Sequence, residues 1–150
     1  MKRRPRVVLD TNVWVSAMLW GGSPAEIIRA AEEKRIDVII SEAIVREISE
    51  TLAYPRLSTI YEGAGLSRHL LVETVLCIGK LVEATDGVGV EIQDPRDEKF
   101  LECSLSCDAD YLVSGDKHLL RVGVVERTRI VSVAEFVEIL RGRTPLSSRV

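Results

Sequence analysis

Residues 7–13 read VVLDTNV: three apolar residues run straight into an aspartate, a threonine and an asparagine, and apolar sequence resumes at once. A short apolar run that is continuous rather than alternating marks a strand buried on both faces, as in a parallel sheet covered by helices. Asp10 then stands where that strand ends. In a doubly wound sheet, ligands bind in the crevice outside the carboxyl ends of the strands, so a side chain at this point faces the crevice. Judged locally, Asp10 is equally well explained as the cap of a following helix.

The rest of the chain repeats the theme, with short β-branched runs alternating with amphipathic helices and no repeat or low-complexity tract. This is the pattern of an α/β domain with a mainly parallel central sheet. Strands are expected at residues 6–9, 37–40, 111–113 and 129–131. In SPAEIIRAAEEK, Ser23 reads as a cap, Pro24 as the first helical residue and Glu26 as the partner in a capping box, with Ile27, Ile28 and Ala31 facing the core. Ser41 caps the helix EAIVREISETLAY, which Pro55 ends. A longer helix is expected over residues 66–82, with a stripe of Leu70, Leu71, Thr74, Val75, Ile78 and Leu81. The turn-rich TDGVG follows, then a helix in QDPRDEKFLECSLS, and a capping box of Ser132 and Glu135 opens the closing helix.

A chain of 150 residues with 46% hydrophobic and 29% charged side chains has the size and composition of one globular domain, expected over 1–150 with its core at about 6–141 and basic termini. No apolar stretch is long enough to cross a bilayer, and after KRRPR no secretory apolar core forms before Asp10, so a cytoplasmic protein away from membranes is expected. Cys77, Cys103 and Cys107 are an odd number without a CxxC pair, which argues against a disulfide framework. Cys103 and Cys107 are one helical turn apart, but neither His69 nor His118 is spaced to complete a zinc site, and they read as half-buried helix residues. The net charge of −3 does not advertise a nucleic-acid binder, yet Lys2, Arg3, Arg4 and Arg6 crowd one end and Arg141, Arg143 and Arg149 the other.

Four carboxylates carry the chemistry. Asp10 ends the first strand and Asp116 follows the strand YLVS, where Gly115 permits a sharp turn; a turn or cap role explains Asp116 as well. Asp97 falls on the inward face defined by Phe100, Leu101, Ser104 and Leu105, at the third position of a helix that Asp94 caps and Pro95 opens, while Glu98 and Glu102 turn to solvent. Glu47 flanks the stripe Ile44, Val45, Ile48 and Leu52, with Arg46 and Glu50 on the outer side; a surface glutamate is its simplest local account. Gathered at one sheet edge, such groups would repel and raise one another's pKa unless cations neutralised them, and oxygen-only ligation selects Mg²⁺ or Mn²⁺. That combination belongs to phosphate chemistry. No Walker loop or GxGxxG is present.

VVLDTNVWVSAML, SEAIVREISETL and DPRDEKFLECSLSCDADYLVSGDKHLL together resemble the PIN domain family, in the branch of toxin components of toxin-antitoxin pairs, similar to VapC-type ribonucleases; the likeness spans residues 7 to about 140. The resemblance implies a three-layer α/β/α, Rossmann-like fold, a metal-dependent nuclease site and RNA as substrate. By position, it places the family's metal-binding acids on Asp10, Glu47, Asp97 and Asp116. It implies a supporting role for Thr11, through Asp10 or a bound water, and a similar one for Ser114; Lys117, His118 or a terminal arginine would hold flanking phosphates. A homodimer and a small antitoxin partner are further implications.

Two enzymatic rivals share the first strand. A haloacid-dehalogenase-type phosphatase needs a second aspartate two residues after the first, where Asn12 stands, and a phosphate receiver domain needs paired acids near the start, which KRRPRVVLD lacks. A rival of another class is a non-catalytic RNA-binding or protein-interaction module on the same fold. Trp14 and Trp20 offer it a partner-facing surface, although Trp14 and Met18, one turn apart, are more simply read as packed against the core or a dimer mate.

Overall fold

A computed structural model describes residues 3–84 and 97–142. Its elements are β1 (Arg6–Leu9), α1 (Thr11–Leu19), α2 (Gly22–Glu32), β2 (Asp37–Ile40), α3 (Glu42–Leu52), α4 (Pro55–Gly63), α5 (Arg68–Ile78), β3 (Lys80–Leu81), α6 (Glu98–Ser106), β4 (Tyr111–Val113), α7 (Lys117–Val122), β5 (Val124–Val125), β6 (Thr128–Val131) and α8 (Val133–Leu140). The sheet runs in the order β3-β2-β1-β4-β6-β5 and is parallel throughout except for the short β5–β6 hairpin. From β1 the chain steps outward through β2 to β3, then returns to the other side of β1 for β4 and β6. Because parallel crossovers are right-handed, steps in opposite directions carry helices to opposite faces. The result is a three-layer α/β/α sandwich.

The four expected strands form, and each is apolar where it is covered: Val7, Val8, Leu9, Val38, Ile39, Ile40, Leu112, Val113, Ile130 and Val131 are all buried. Against them pack Ile44, Ile48 and Leu52 from α3, Phe100 and Leu101 from α6 and Phe136 from α8. The Tyr111 and Phe136 rings meet edge to face with centroids 5.2 Å apart. Trp14 is wholly buried in this core, whereas Trp20 is 58% exposed, so the two tryptophans do not form a common surface.

Several boundaries differ from the sequence expectation. The α2 helix starts at Gly22 after a positive-φ Gly21, with no side-chain cap; Glu26 instead takes the Arg141 guanidinium at 2.8 Å, which ties α2 to the end of α8. Pro55 ends α3 as expected but also opens α4, since a proline that cannot continue one helix suits the first turn of the next. The helix expected over 66–82 is capped by Ser67 and stops at Gly79, after which Lys80 and Leu81 join β2 as a parallel edge strand. Helical periodicity carries no information about that break; Gly79 does, because a Cβ there would sit 2.8 Å from the Ile40 side chain. Leu70 and Leu81 of the expected stripe are exposed. The Ser41 cap on α3 and the Ser132–Glu135 capping box on α8 form as read. Asp94, Pro95, the turn at residues 85–89, Lys2, Arg143 and Arg149 lie outside the described residues. Among the described residues no helix is long and apolar enough to cross a membrane.

Candidate active site

Strands β1 and β4 lie side by side, yet the chain leaves them in opposite directions, β1 toward β2 and β4 toward β6. A crevice opens at such a switch point, outside the carboxyl ends of the two strands. Here it is a cleft of about 570 Å³ whose lining includes Asp10, Glu47, Asp97 and Asp116. All four carboxylates read from the sequence therefore border one cavity.

Three of them hold the same local position. Asp10, Asp97 and Asp116 are the residues immediately before α1, α6 and α7. The positive ends of three helices are thus turned to the cleft, which offsets part of the repulsion between the acids. The Asp10 backbone N–H donates to the Val113 carbonyl at 3.1 Å, extending the β1–β4 ladder by one residue and fixing the carboxylate beside β4. One Asp10 oxygen caps α1 by accepting from the Val13 N–H at 2.9 Å, and the other accepts from the Ser114 hydroxyl. Ser114 Oγ in turn accepts from the Asp116 N–H at 2.9 Å, so one fully buried serine links the two acids. Asp116 Oδ1 accepts from the N–H groups of His118 and Leu119 at 2.7 and 3.2 Å. The capping and site readings of Asp10 and Asp116 are compatible, because each carboxylate has two oxygens.

Asp97 is 8% exposed and stands immediately before α6 with helical backbone and no side-chain capping hydrogen bond; the expected cap and first helical residues, 94–96, lie outside the described residues. Glu47 lies across the cleft on α3, half-buried, with both oxygens engaged: Oε1 takes the Lys99 ammonium at 2.6 Å and Oε2 takes the Thr11 hydroxyl. Thr11 therefore serves Glu47, not Asp10. Lys99 went unread in the sequence, although it stands two residues beyond Asp97 in DEKF. Glu50, read as outward, borders the cleft with Thr51 and Tyr54. The spacing 47, 50, 51 places Glu47, Glu50 and Thr51 on one face of α3 and could have found Glu50 and Thr51, while Tyr54 stands in the extended link before α4. Lys117 and His118 are exposed at the start of α7.

The electrostatics are uneven. Burial above all holds the Asp10 carboxyl above its usual range, and the Asp116 charge adds to this, against the lowering effect of the Ser114 hydroxyl and the Val13 and Gly115 N–H groups. Burial likewise pushes the Cys103 thiol up to about 12 and raises Cys107, so both stay protonated packing residues. Arg3 and Arg4 are remote from the cleft: they pair with Asp110 and Asp37, at the amino edge of the sheet. Arg6 likewise donates to the Cys107 carbonyl.

The donor chemistry of the cleft, mainly carboxylate oxygens with the hydroxyl and amide groups of Thr11, Asn12, Thr51 and Tyr54 and no histidine or cysteine, suits a hard divalent cation. The spacing is looser than that of a closed ligand shell: among the described residues no three His, Cys, Asp or Glu side chains are gathered tightly enough to hold a metal ion as they stand.

No curated protein matches the chain in sequence. In three dimensions it superposes on a chain of the crystal structure of VapBC2 from Rickettsia felis bound to a DNA fragment from their promoter, with a TM-score of 0.59 over 85% of this chain and 98% of that one at 12% identity, a likeness of fold. Residues 6–118 match the PIN domain family, a stretch that holds β1, α3, α6, β4 and all five carboxylates lining the cleft, and the chain belongs to that family.

Proposed function

We propose that the chain is a metal-dependent endoribonuclease that hydrolyses phosphodiester bonds of single-stranded RNA at the β1–β4 cleft. The observation that carries this reading is the meeting of Asp10, Glu47, Asp97 and Asp116 in one cavity at the switch point of a PIN domain. Asp10, Asp97 and Asp116 would hold Mg²⁺ or Mn²⁺, with Glu47 facing a metal-ligated water. The bound ion supplies Lewis acidity toward a phosphate oxygen and a water acidified enough to attack. Ser114 keeps Asp10 and Asp116 in register, Thr11 keeps Glu47 aimed at the cleft, and the helix ends favour the approach of a phosphate. Lys117 and His118 are placed to contact flanking phosphates.

The VapBC neighbour supports a toxin role silenced by a small antitoxin, and a homodimer in the cytoplasm is part of the same proposal. The test is incubation of total RNA with the purified protein and Mn²⁺, followed by sequencing of the ends. Discrete fragments that vanish with EDTA are expected. Intact RNA, together with a melting curve that Mn²⁺ does not shift, would favour a binding module instead.

A further inference from the structure

The carboxylates of the cleft have two kinds of partner, and the charged one, Lys99, reaches Glu47 from a neighbouring cavity that Ser41, Glu42 and Glu102 also line. On one side Asp10 receives hydrogen bonds from neutral groups, the Ser114 hydroxyl and the Val13 amide, and lies close enough to Asp116 to feel its charge. On the other side Glu47 is in direct contact with a full positive charge, Lys99 Nζ at 2.6 Å from Oε1. That ammonium is anchored rather than trailing in water. Its side chain is 22% exposed, the nitrogen lies 5.5 Å from the centroid of the Phe100 ring, and Phe100 is itself a buried core residue lining the cleft. The second Glu47 oxygen is taken by Thr11. A divalent ion brought to Glu47 would have to displace the ammonium or sit against it, with twice the repulsion that a second unit charge would meet.

We infer that Lys99 is a tethered cation that stands where a second metal ion would otherwise neutralise Glu47, so that the cleft takes a single divalent ion, on its Asp10–Asp116 side. The inference rests on the metal-dependent reading above and adds to it the number of ions and the reason for that number. Glu47 is then a positioning residue, held by Lys99 and Thr11 at the rim of the site, and Lys99 is the group that sets metal stoichiometry.

The test counts bound Mn²⁺ by titration, following the free-ion signal in electron paramagnetic resonance, for the unaltered chain, Lys99→Met and Lys99→Arg. Methionine keeps the apolar stem over Phe100 and removes the charge; arginine keeps the charge. Melting curves verify that each variant is folded. One ion per chain is expected for the unaltered protein and for Lys99→Arg, and two for Lys99→Met. Two ions on the unaltered chain, or one on Lys99→Met, would overturn the inference. Should Lys99→Met fail to fold, Glu47→Gln replaces it: a count that stays at one supports a single-ion cleft, and a fall from two to one contradicts it. No Mn²⁺ bound to the unaltered chain would defeat the metal-dependent reading itself, a distinguishable failure.

Discussion

Asp10 is both an N-cap and a cleft wall, and the two roles respond differently to substitution. Asparagine caps a helix about as well as aspartate, so Asp10→Asn should keep the Val13 hydrogen bond and the fold. What it removes is the charge that burial disfavours. Because the folded state holds this carboxyl above its ordinary value of 3.8, its stabilising contribution is complete below that pH and lost as pH rises through the folded value. In the absence of divalent metal, Asp10→Asn should therefore melt higher than the unaltered chain at pH 7, with a slope of about 2–4 °C per kcal/mol for a chain of this size. The gap should close as pH falls toward 3.8. Melting curves with EDTA across that range test this, and a variant that melts lower at pH 7 would show that burial does not penalise the charge.

At the scale of elements, Gly79 shows how one residue ends a helix and starts a strand. Its backbone is extended, with φ −80° and ψ 155°, so conformation alone does not demand glycine; space does. A Cβ would lie 2.8–3.0 Å from three atoms of Ile40, which is fully buried and cannot swing away. Gly79→Ala should cost about 1–3 kcal/mol of stability in denaturant titrations, the cost of overpacking; a loss under 0.5 kcal/mol, within the range of ordinary surface changes, would show that Ile40 yields.

The elements that patterning reveals are those whose burial is periodic or continuous: the four parallel strands, α3 with its Ser41 cap and α8 with its capping box. Those it does not assign are α1, whose weakly amphipathic run is apolar on most sides, α4, and the short α7, β3 and β5. Asp10 and Asp116 were legible for the same reason, since each ends a recognisable strand. Lys99 was not, because its partner lies 52 residues away on another helix, and no local pattern encodes that meeting.

For the whole molecule, the charges are sorted between the two edges of the sheet. Arg3, Arg4, Lys80 and Arg127 pair with Asp37 and Asp110 at the amino edge, while the acids of the cleft occupy the carboxyl edge. With a net charge of −3, RNA would be drawn by few cations, so its affinity should depend only shallowly on salt. Lys117→Ala, which alters an exposed residue beside Asp116, should weaken RNA binding and reduce the salt slope by about 1, while Arg4→Ala should leave both unchanged. Filter-binding titrations at several salt concentrations test the pair. Equal losses from both variants would mean that the RNA path runs over the amino edge.

The central claim is that the carboxylates at the β1–β4 switch point cut RNA. Single-turnover cleavage of end-labelled single-stranded RNA in Mn²⁺ addresses it directly, comparing the unaltered chain with Asp116→Asn, a change that preserves the cap on α7. The expected result is cleavage by the unaltered chain, abolished by EDTA, and none above the enzyme-free control for a folded Asp116→Asn. Undiminished cleavage by that variant, or intact RNA with the unaltered chain and Mn²⁺, would contradict the claim.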